Sequence, residues 1–246
     1  MKMKKTLFLL LCFGLVVVGL IWLGYRTLQP PLPPSVAPEA VGLAWRECEA
    51  SAQGFDWKQA EDCFGHPMPL WSVAERAALG ERVGGEDFRL AIGQSTYQTV
   101  AGSGLLPMQS CYTLYKDGAR LQTLCGEFGA HSPNISLQAV GGKAAWEFAD
   151  GRLDTVIYDG QDVRHTYSLS GAYRPYDLGN KLIFVGKRDG KYFVIYDGSR
   201  VGSDFDEIMI AYCCEPVLWS VQYGQGRYLF WGKRDGQSYV VEISRR

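Results

Sequence analysis

The stretch LIFVGKRDGKYFVIYDG, Leu182–Gly198, recurs about one structural unit later as LFWGKRDGQSYVVEI, Leu229–Ile243. Asp189-Gly190 between two apolar runs is a two-residue hairpin signal, since such a turn needs residues that tolerate positive φ. It pairs IFVGKR with KYFVIY. Leu182 and Phe184 face one side, Ile183 and Val185 the other, and both sides are apolar. A sheet wetted on one face alternates polar with apolar residues, so this hairpin is expected to lie between two neighbouring layers. Asp197-Gly198 then turns the chain into SRVGSDFDEI, a more polar outer strand.

The unit recurs on both sides. GKAAWEFADGRLDTVIYDG, Gly142–Gly160, matches GNKLIFVGKRDGKYFVIYDG, Gly179–Gly198, with one insertion; Gly226–Ile243 is a third copy, and a weaker one ends at Tyr115-Lys116-Asp117-Gly118. A period of about 40–45 residues with several strands per unit is the signature of propeller blades. A blade buries its faces only against other blades, which is a physical reason to repeat it. The pattern of apolar strand, Lys-Arg-Asp-Gly turn, second apolar strand and Tyr-Asp-Gly resembles the WD40-like repeats of TolB-type propellers. It is also similar to exported, membrane-anchored bacterial proteins that carry such repeats and have no characterised function. The usual Ser-Pro-Asp-Gly blade signature is absent; Pro175-Tyr176-Asp177-Leu178-Gly179-Asn180 is a loose counterpart. The fold class expected is mainly β, a propeller-like array of about four antiparallel blades over residues 84–246. Phe88-Arg89-Leu90-Ala91-Ile92 is the segment expected to cover the otherwise open edge of the last blade.

Ahead of the repeats the chain changes character. Lys2, Lys4 and Lys5 precede an uncharged apolar run from Thr6 to Tyr25, and about twenty helical residues span a bilayer core. Trp22 and Tyr25 fall where interfacial aromatics belong, and the lysines hold the N-terminus in the cytoplasm. Residues 1–26 are therefore read as a single-pass signal-anchor transmembrane helix that places the rest outside the cytoplasm. A cleaved signal peptide is the alternative, but no small-x-small site follows the apolar core. Residues 27–38 contain Pro30, Pro31, Pro33, Pro34 and Pro38, and read as a stiff polyproline stalk. Residues 39–83 read as a small helical segment: AVGLAWRECEA, a turn at Gln53-Gly54, DWKQAEDC, and a helix opened by the capping box Ser72-Val73-Ala74-Glu75. Trp45, Phe55, Trp57 and Trp71 are expected to pack this segment on the β region.

Composition bounds the function. Four of the 25 basic residues and none of the 26 acidic ones lie in residues 1–30, so the remainder is mildly acidic. That excludes an electrostatic footprint for nucleic acid. Besides Cys12 there are six cysteines in a region expected to be oxidising. Cys111 and Cys125 flank a turn centred on Gly118 at equal distance. A hairpin with a three-residue Asp117-Gly118-Ala119 loop puts them opposite one another, within disulfide reach. Cys48 and Cys63 form a second expected bridge. Cys213 and Cys214 are adjacent, and three readings stand: a vicinal disulfide, a thiol pair for a metal or redox partner, and two half-buried strand cysteines.

No catalytic, cofactor-binding or metal-binding residue is assigned. His66, His131 and His165 have no ligand-like spacing, and HExxH, GxSxG, GxxxxGK[ST] and CxxC are all missing. Asp204, Asp206 and Glu207 lack the offsets of a calcium loop and read as a solvated edge. Lys187-Arg188-Asp189 are turn residues first and a basic ligand patch second. The function expected is an anchored extracytoplasmic binding or scaffolding module of the cell envelope, partnered by an envelope protein or glycan. The alternatives are a glycan-acting hydrolase or lyase using channel carboxylates, and a structural cap within a larger complex.

Overall fold

Asp-Gly turns set the hairpins. Asp117-Gly118, Asp159-Gly160, Asp189-Gly190, Asp197-Gly198 and Asp235-Gly236 each carry positive φ at both positions, between 47° and 82°. This backbone twist matches the right-handed twist of the flanking strands. The computed structural model describes residues 30–50, 57–67, 79–84, 87–104, 109–127, 134–150, 152–210 and 221–246. Pro33–Arg246 forms one compact unit, and of the separate unit Met1–Leu32 only residues 30–32 are described. The signal-anchor reading of residues 1–26, and the capping box at Ser72, lie outside the described residues; among these, no helix is long and apolar enough to cross a membrane.

The fold is mainly β, in four sheets. The chain opens with β1 (Ser35–Val36), a 3-10 turn (Pro38–Val41), β2 (Leu43–Ala50) and α1 (Trp57–Phe64). The first sheet follows as a meander, β3 (Glu81–Gly84), β4 (Asp87–Ile92), β5 (Ser95–Ser103), β6 (Gln109–Lys116) and β7 (Ala119–Glu127). The second contains β8 (Asn134–Val140), β9 (Lys143–Ala149), β10 (Asp154–Tyr158) and β11 (Gln161–Asp162), followed by the short helix α2 (Val163–Tyr167). The third is β12 (Gly171–Asp177), β13 (Leu182–Arg188), β14 (Lys191–Tyr196) and β15 (Ser199–Phe205), with β1 added in parallel at the β15 edge. The fourth holds β16 (Glu207–Ile208), β17 (Gln222–Gly224), β18 (Arg227–Arg234) and β19 (Gln237–Arg245), with β2 antiparallel at the β19 edge.

Neighbouring sheets share cores. Leu90, Tyr97, Tyr112 and Leu114 of the first pack with Leu137, Trp146, Phe148 and Ile157 of the second. Tyr173, Ile183, Val194 and Val201 of the third pack with Tyr228, Phe230, Val241 and Ile243 of the fourth. The repeated hairpins β13–β14 and β18–β19 are buried on both faces, as their unbroken apolar runs require. Asp206 ties the two copies of the turn together: its carboxylate takes the ammonium of Lys191 from one hairpin and the Asp235 backbone N–H (2.9 Å) from the other. Among the described residues no strand of the first sheet pairs with one of the fourth, and a closed propeller is not seen.

Leu43–Ala50 is a strand, where a helix was expected within the helical segment 39–83; eight residues of β19 supply its hydrogen-bonding partner, and that pairing overrides the local preference of an Ala- and Glu-containing run. It is β2, not Phe88–Ile92, that covers the last sheet's edge; Phe88–Ile92 belongs to β4 inside the first sheet. The end of the stretch read as stalk, residues 27–38, is seated on the third sheet: Pro34 O accepts from Arg200 N (3.0 Å), Ser35 and Val36 pair with Arg200 and Val201, and Pro38 opens the 3-10 turn, where its missing N–H is no loss. The turn after β6 has two residues, with Lys116 paired to Ala119; a bulge at Leu121 restores the register so that Cys111 still faces Cys125.

Candidate functional site

The two ends of the sheet order are finished differently. Along the first sheet burial alternates: Leu90, Tyr97, Thr99, Tyr112, Leu114 and Leu124 are buried, whereas Arg89, Ala91, Thr96 and Thr123 are exposed. One face therefore packs on the second sheet and the other meets solvent. On the solvent face Thr96, Gln98 and Val100, alternate residues of β5, surround a shallow depression of about 370 Å³ with Tyr115, Asp117 and Gly118. Asp117 accepts the Thr96 N–H (2.7 Å), and this backbone hydrogen bond holds its carboxyl below the usual range. Thr113 and Thr123 share a hydrogen bond across the strands (2.9 Å). Beside them the Cys111–Cys125 disulfide joins directly opposed residues whose Cα atoms are 4.0 Å apart. Among the described residues the exposed large apolar side chains, Val83 (42%) and Leu121 (43%), also belong to this sheet.

The outer face of the fourth sheet is covered instead. Ala60 and Phe64 of α1 bury Leu229, Trp231 and Val240, and the Cys48–Cys63 disulfide fastens α1 to β2, with Cα atoms 6.4 Å apart. Beside this apolar seat lies Glu242, whose side chain is 3% exposed. Its carboxylate faces Arg46 (3.5 Å), His66 Nε2 (2.8 Å) and Arg227 (3.7 Å). Arg227 also reaches His66 Nδ1 and Pro67 O (3.1 Å). Both imidazole nitrogens are thus engaged within the protein, an arrangement that fastens the segment after α1 rather than presenting a free base.

A third polar cluster sits where the second, third and fourth sheets meet. A bulge between Tyr173 and Tyr176 puts Arg174 at φ 53° and takes its peptide groups out of the ladder. Side chains of both neighbouring sheets satisfy them: Glu147 Oε1 accepts from Arg174 N (2.8 Å), Tyr228 donates to Arg174 O (2.8 Å), and Gln138 donates to Pro175 O. Glu147, 1% exposed, also faces the Arg174 guanidinium (3.8 Å) and accepts from Ser136 Oγ (3.2 Å). Tyr176, Tyr223 and Tyr228 stack beside it, the closest rings 4.9 Å apart. Burial, with the charge of Glu147 adding, pushes the Tyr223 phenol up to about 12, and burial pushes Tyr228 well above its ordinary value. Both hydroxyls therefore stay protonated, and Tyr228 keeps its donor role. This cluster satisfies the backbone groups that the bulge frees.

The residues singled out in the sequence fall as follows. Cys111 with Cys125 and Cys48 with Cys63 are brought together; Cys213, Cys214 and His131 lie outside the described residues. His165 is exposed, 3.8 Å from Asp162. Asp204 faces Arg200 (3.6 Å), Asp206 links the repeated turns, and Glu207 faces Lys233 (3.1 Å), so these acids are each spoken for separately. Lys187 lies over the Tyr192 ring and Arg188 faces Asp189 (3.6 Å), within their own hairpin. Among the described residues no three His, Cys, Asp or Glu side chains group as a metal site. Sequence reasoning missed Glu147, Glu242 and Arg174. The signal for the two glutamates was there: a lone acid inside the otherwise apolar runs AAWEFA and VVEI must find a cationic partner. Comparison with known proteins adds no relative: no family model matches the chain, and no curated protein or solved structure matches it.

Proposed function

We propose that this chain is a membrane-anchored, extracytoplasmic binding or scaffolding module of the cell envelope, built as a WD40-like, TolB-type array of four propeller-like blades. The observation that carries the binding reading is the solvent face of the first sheet. The second and third sheets are covered on both sides by neighbouring sheets, and the fourth by the third and by α1. Among the described residues the first sheet keeps one face open, stapled by Cys111–Cys125 and hollowed between Gln98, Val100 and Tyr115. A rigid, mixed polar and apolar face with an aromatic beside the hollow suits recognition of an envelope protein or glycan, since little ordering is needed on binding. The buried carboxylates Glu147 and Glu242 are each engaged by arginine, which favours this reading over a glycan-acting hydrolase.

The test is site-specific photo-crosslinking of the full chain in its own cells. A crosslinker at Gln98 is expected to give one discrete envelope adduct that Tyr115→Ala abolishes, while a crosslinker at Glu61 on α1 gives none. Equal adducts from both positions, or no adduct from Gln98 at efficient incorporation, would overturn the reading.

A further inference from the structure

α1 is attached to the fourth sheet by unlike fastenings. Among its described side chains, Ala60 and Phe64 are buried in the apolar contact, over a seat formed by Leu229, Trp231 and Val240. Arg46 reaches the Phe64 carbonyl (3.2 Å) and lies 5.0 Å from the ring, and the His66–Glu242 pair and Arg227 hold the residues just beyond. The covalent fastening is Cys48–Cys63, with both residues only partly buried. β2, by contrast, is laddered to β19 along all eight of its residues and does not depend on that bond. The disulfide therefore joins an element fixed by a continuous backbone ladder to one held by a few side-chain contacts.

We infer that Cys48–Cys63 is a redox-sensitive latch: with the bond closed α1 covers the Leu229–Trp231–Val240 face, and with it reduced α1 detaches while the sheet persists. The agent is a dithiol of the thiol–disulfide exchange class. One of its thiolates attacks Sγ of Cys48 or Cys63, forming a mixed disulfide and releasing the other cysteine as a thiolate. The second thiol of the reagent then displaces the bound cysteine. Two electrons pass to the protein, the two cysteines take up two protons in all, and the reagent leaves as its own disulfide. Cys111–Cys125 undergoes the same chemistry without the same consequence, because β6 and β7 are paired along their length.

The experiment is hydrogen exchange on the full chain in detergent micelles, read by mass spectrometry when oxidised, after dithiothreitol, and after reoxidation. Exchange over residues 57–67 is expected to rise about a hundredfold on reduction, the scale set by the constraint on a loop of this size. In the reduced chain β18 and β19 should remain protected far beyond residues 57–67, and reoxidation should restore the starting pattern. The Cys48→Ser/Cys63→Ser variant should reproduce the reduced pattern without reductant, and Cys111→Ser/Cys125→Ser should leave residues 57–67 unchanged. Unaltered exchange over residues 57–67 in the reduced wild-type chain would overturn the inference. So would β18 and β19 opening together with α1, which would make the bond a staple of the whole sheet, or failure to reclose on reoxidation. The wild-type arm decides the matter even if a serine variant fails to fold.

Discussion

The first and fourth sheets are built from the same antiparallel hairpins, yet one ends the sheet order open and the other closed. Strands of the fourth sheet such as β18 run buried through Tyr228, Leu229, Phe230, Trp231 and Gly232, because β2 covers the outer edge and α1 the outer face. Strands of the first sheet alternate, and their outer face carries Thr96, Gln98, Thr113 and Thr123 in place of an apolar seat. An uncovered face must be written polar to stay soluble, so the alternation records that nothing in the described chain was meant to cover it. The cover of the fourth sheet comes from the segment that precedes the repeats. That segment is therefore part of the fold and not merely a spacer.

The largest expected effect separates the two outer faces. Trp231, fully buried under α1, and Val100, on the open face, both point away from the neighbouring sheet. Trp231→Ala should cost about 3–5 kcal/mol through lost burial and a cavity, whereas Val100→Ser should stay within about 0.5 kcal/mol. Denaturant unfolding of both variants checks this; equal costs would break the comparison. Next comes the seat of β2. Gly202 stands at a bulge in β15 with φ 70°, and a Cβ there would lie 2.3 Å from the Trp45 ring of β2. Gly202→Ala thus combines left-handed strain with overpacking, about 2–5 kcal/mol together, and should lower the thermal midpoint accordingly.

How far this contrast was legible depends on what made each element. The hairpins of the third and fourth sheets could be read because Asp-Gly turns and two-faced apolar runs are local signals, as in LIFVGKRDGKYFVIY. The Cys111–Cys125 pair could be read from its symmetry about Gly118, although the loop is two residues and Leu121 makes up the difference. Leu43–Ala50 could not be read. Arg46, Glu47 and Glu49 suit a helix as well as a guarded edge strand, and only the distant partner β19 decides between them. The open face shared that difficulty: nothing local in STYQTV says whether another layer covers Thr96 and Gln98.

The two disulfides sharpen the comparison further. They close loops of nearly equal length, with separations of 15 and 14 residues, so loss of either should cost about 3 kcal/mol in the chain-entropy account. What each loss exposes should differ. Only the Cys48→Ser/Cys63→Ser variant should bind an apolar dye under native conditions, because only that bond holds a cover over an apolar face. Dye binding by both variants, or by neither, would mean that the two ends are not fastened for different purposes.

The smallest effect is electrostatic and belongs to the closing strand. Glu47 of β2 is partly buried, which by itself raises its pKa. Hydrogen bonds from Arg234 (2.9 and 3.3 Å) and Trp45 Nε1 (2.8 Å) outweigh this and hold the carboxyl below its ordinary value of 4.5. A carboxylate whose pKa is lowered by folding stabilises the protein above the unfolded value, and that contribution is lost as pH falls through the folded value. Glu47→Gln should therefore cost about 1 kcal/mol at pH 7, discounted for the partly exposed setting. The difference from wild type should shrink as pH drops below 4.5, where the native carboxylate is itself becoming protonated. A variant that kept the full deficit at pH 2–3 would show that Glu47 fastens β2 by shape and hydrogen bonding, with no contribution from its charge.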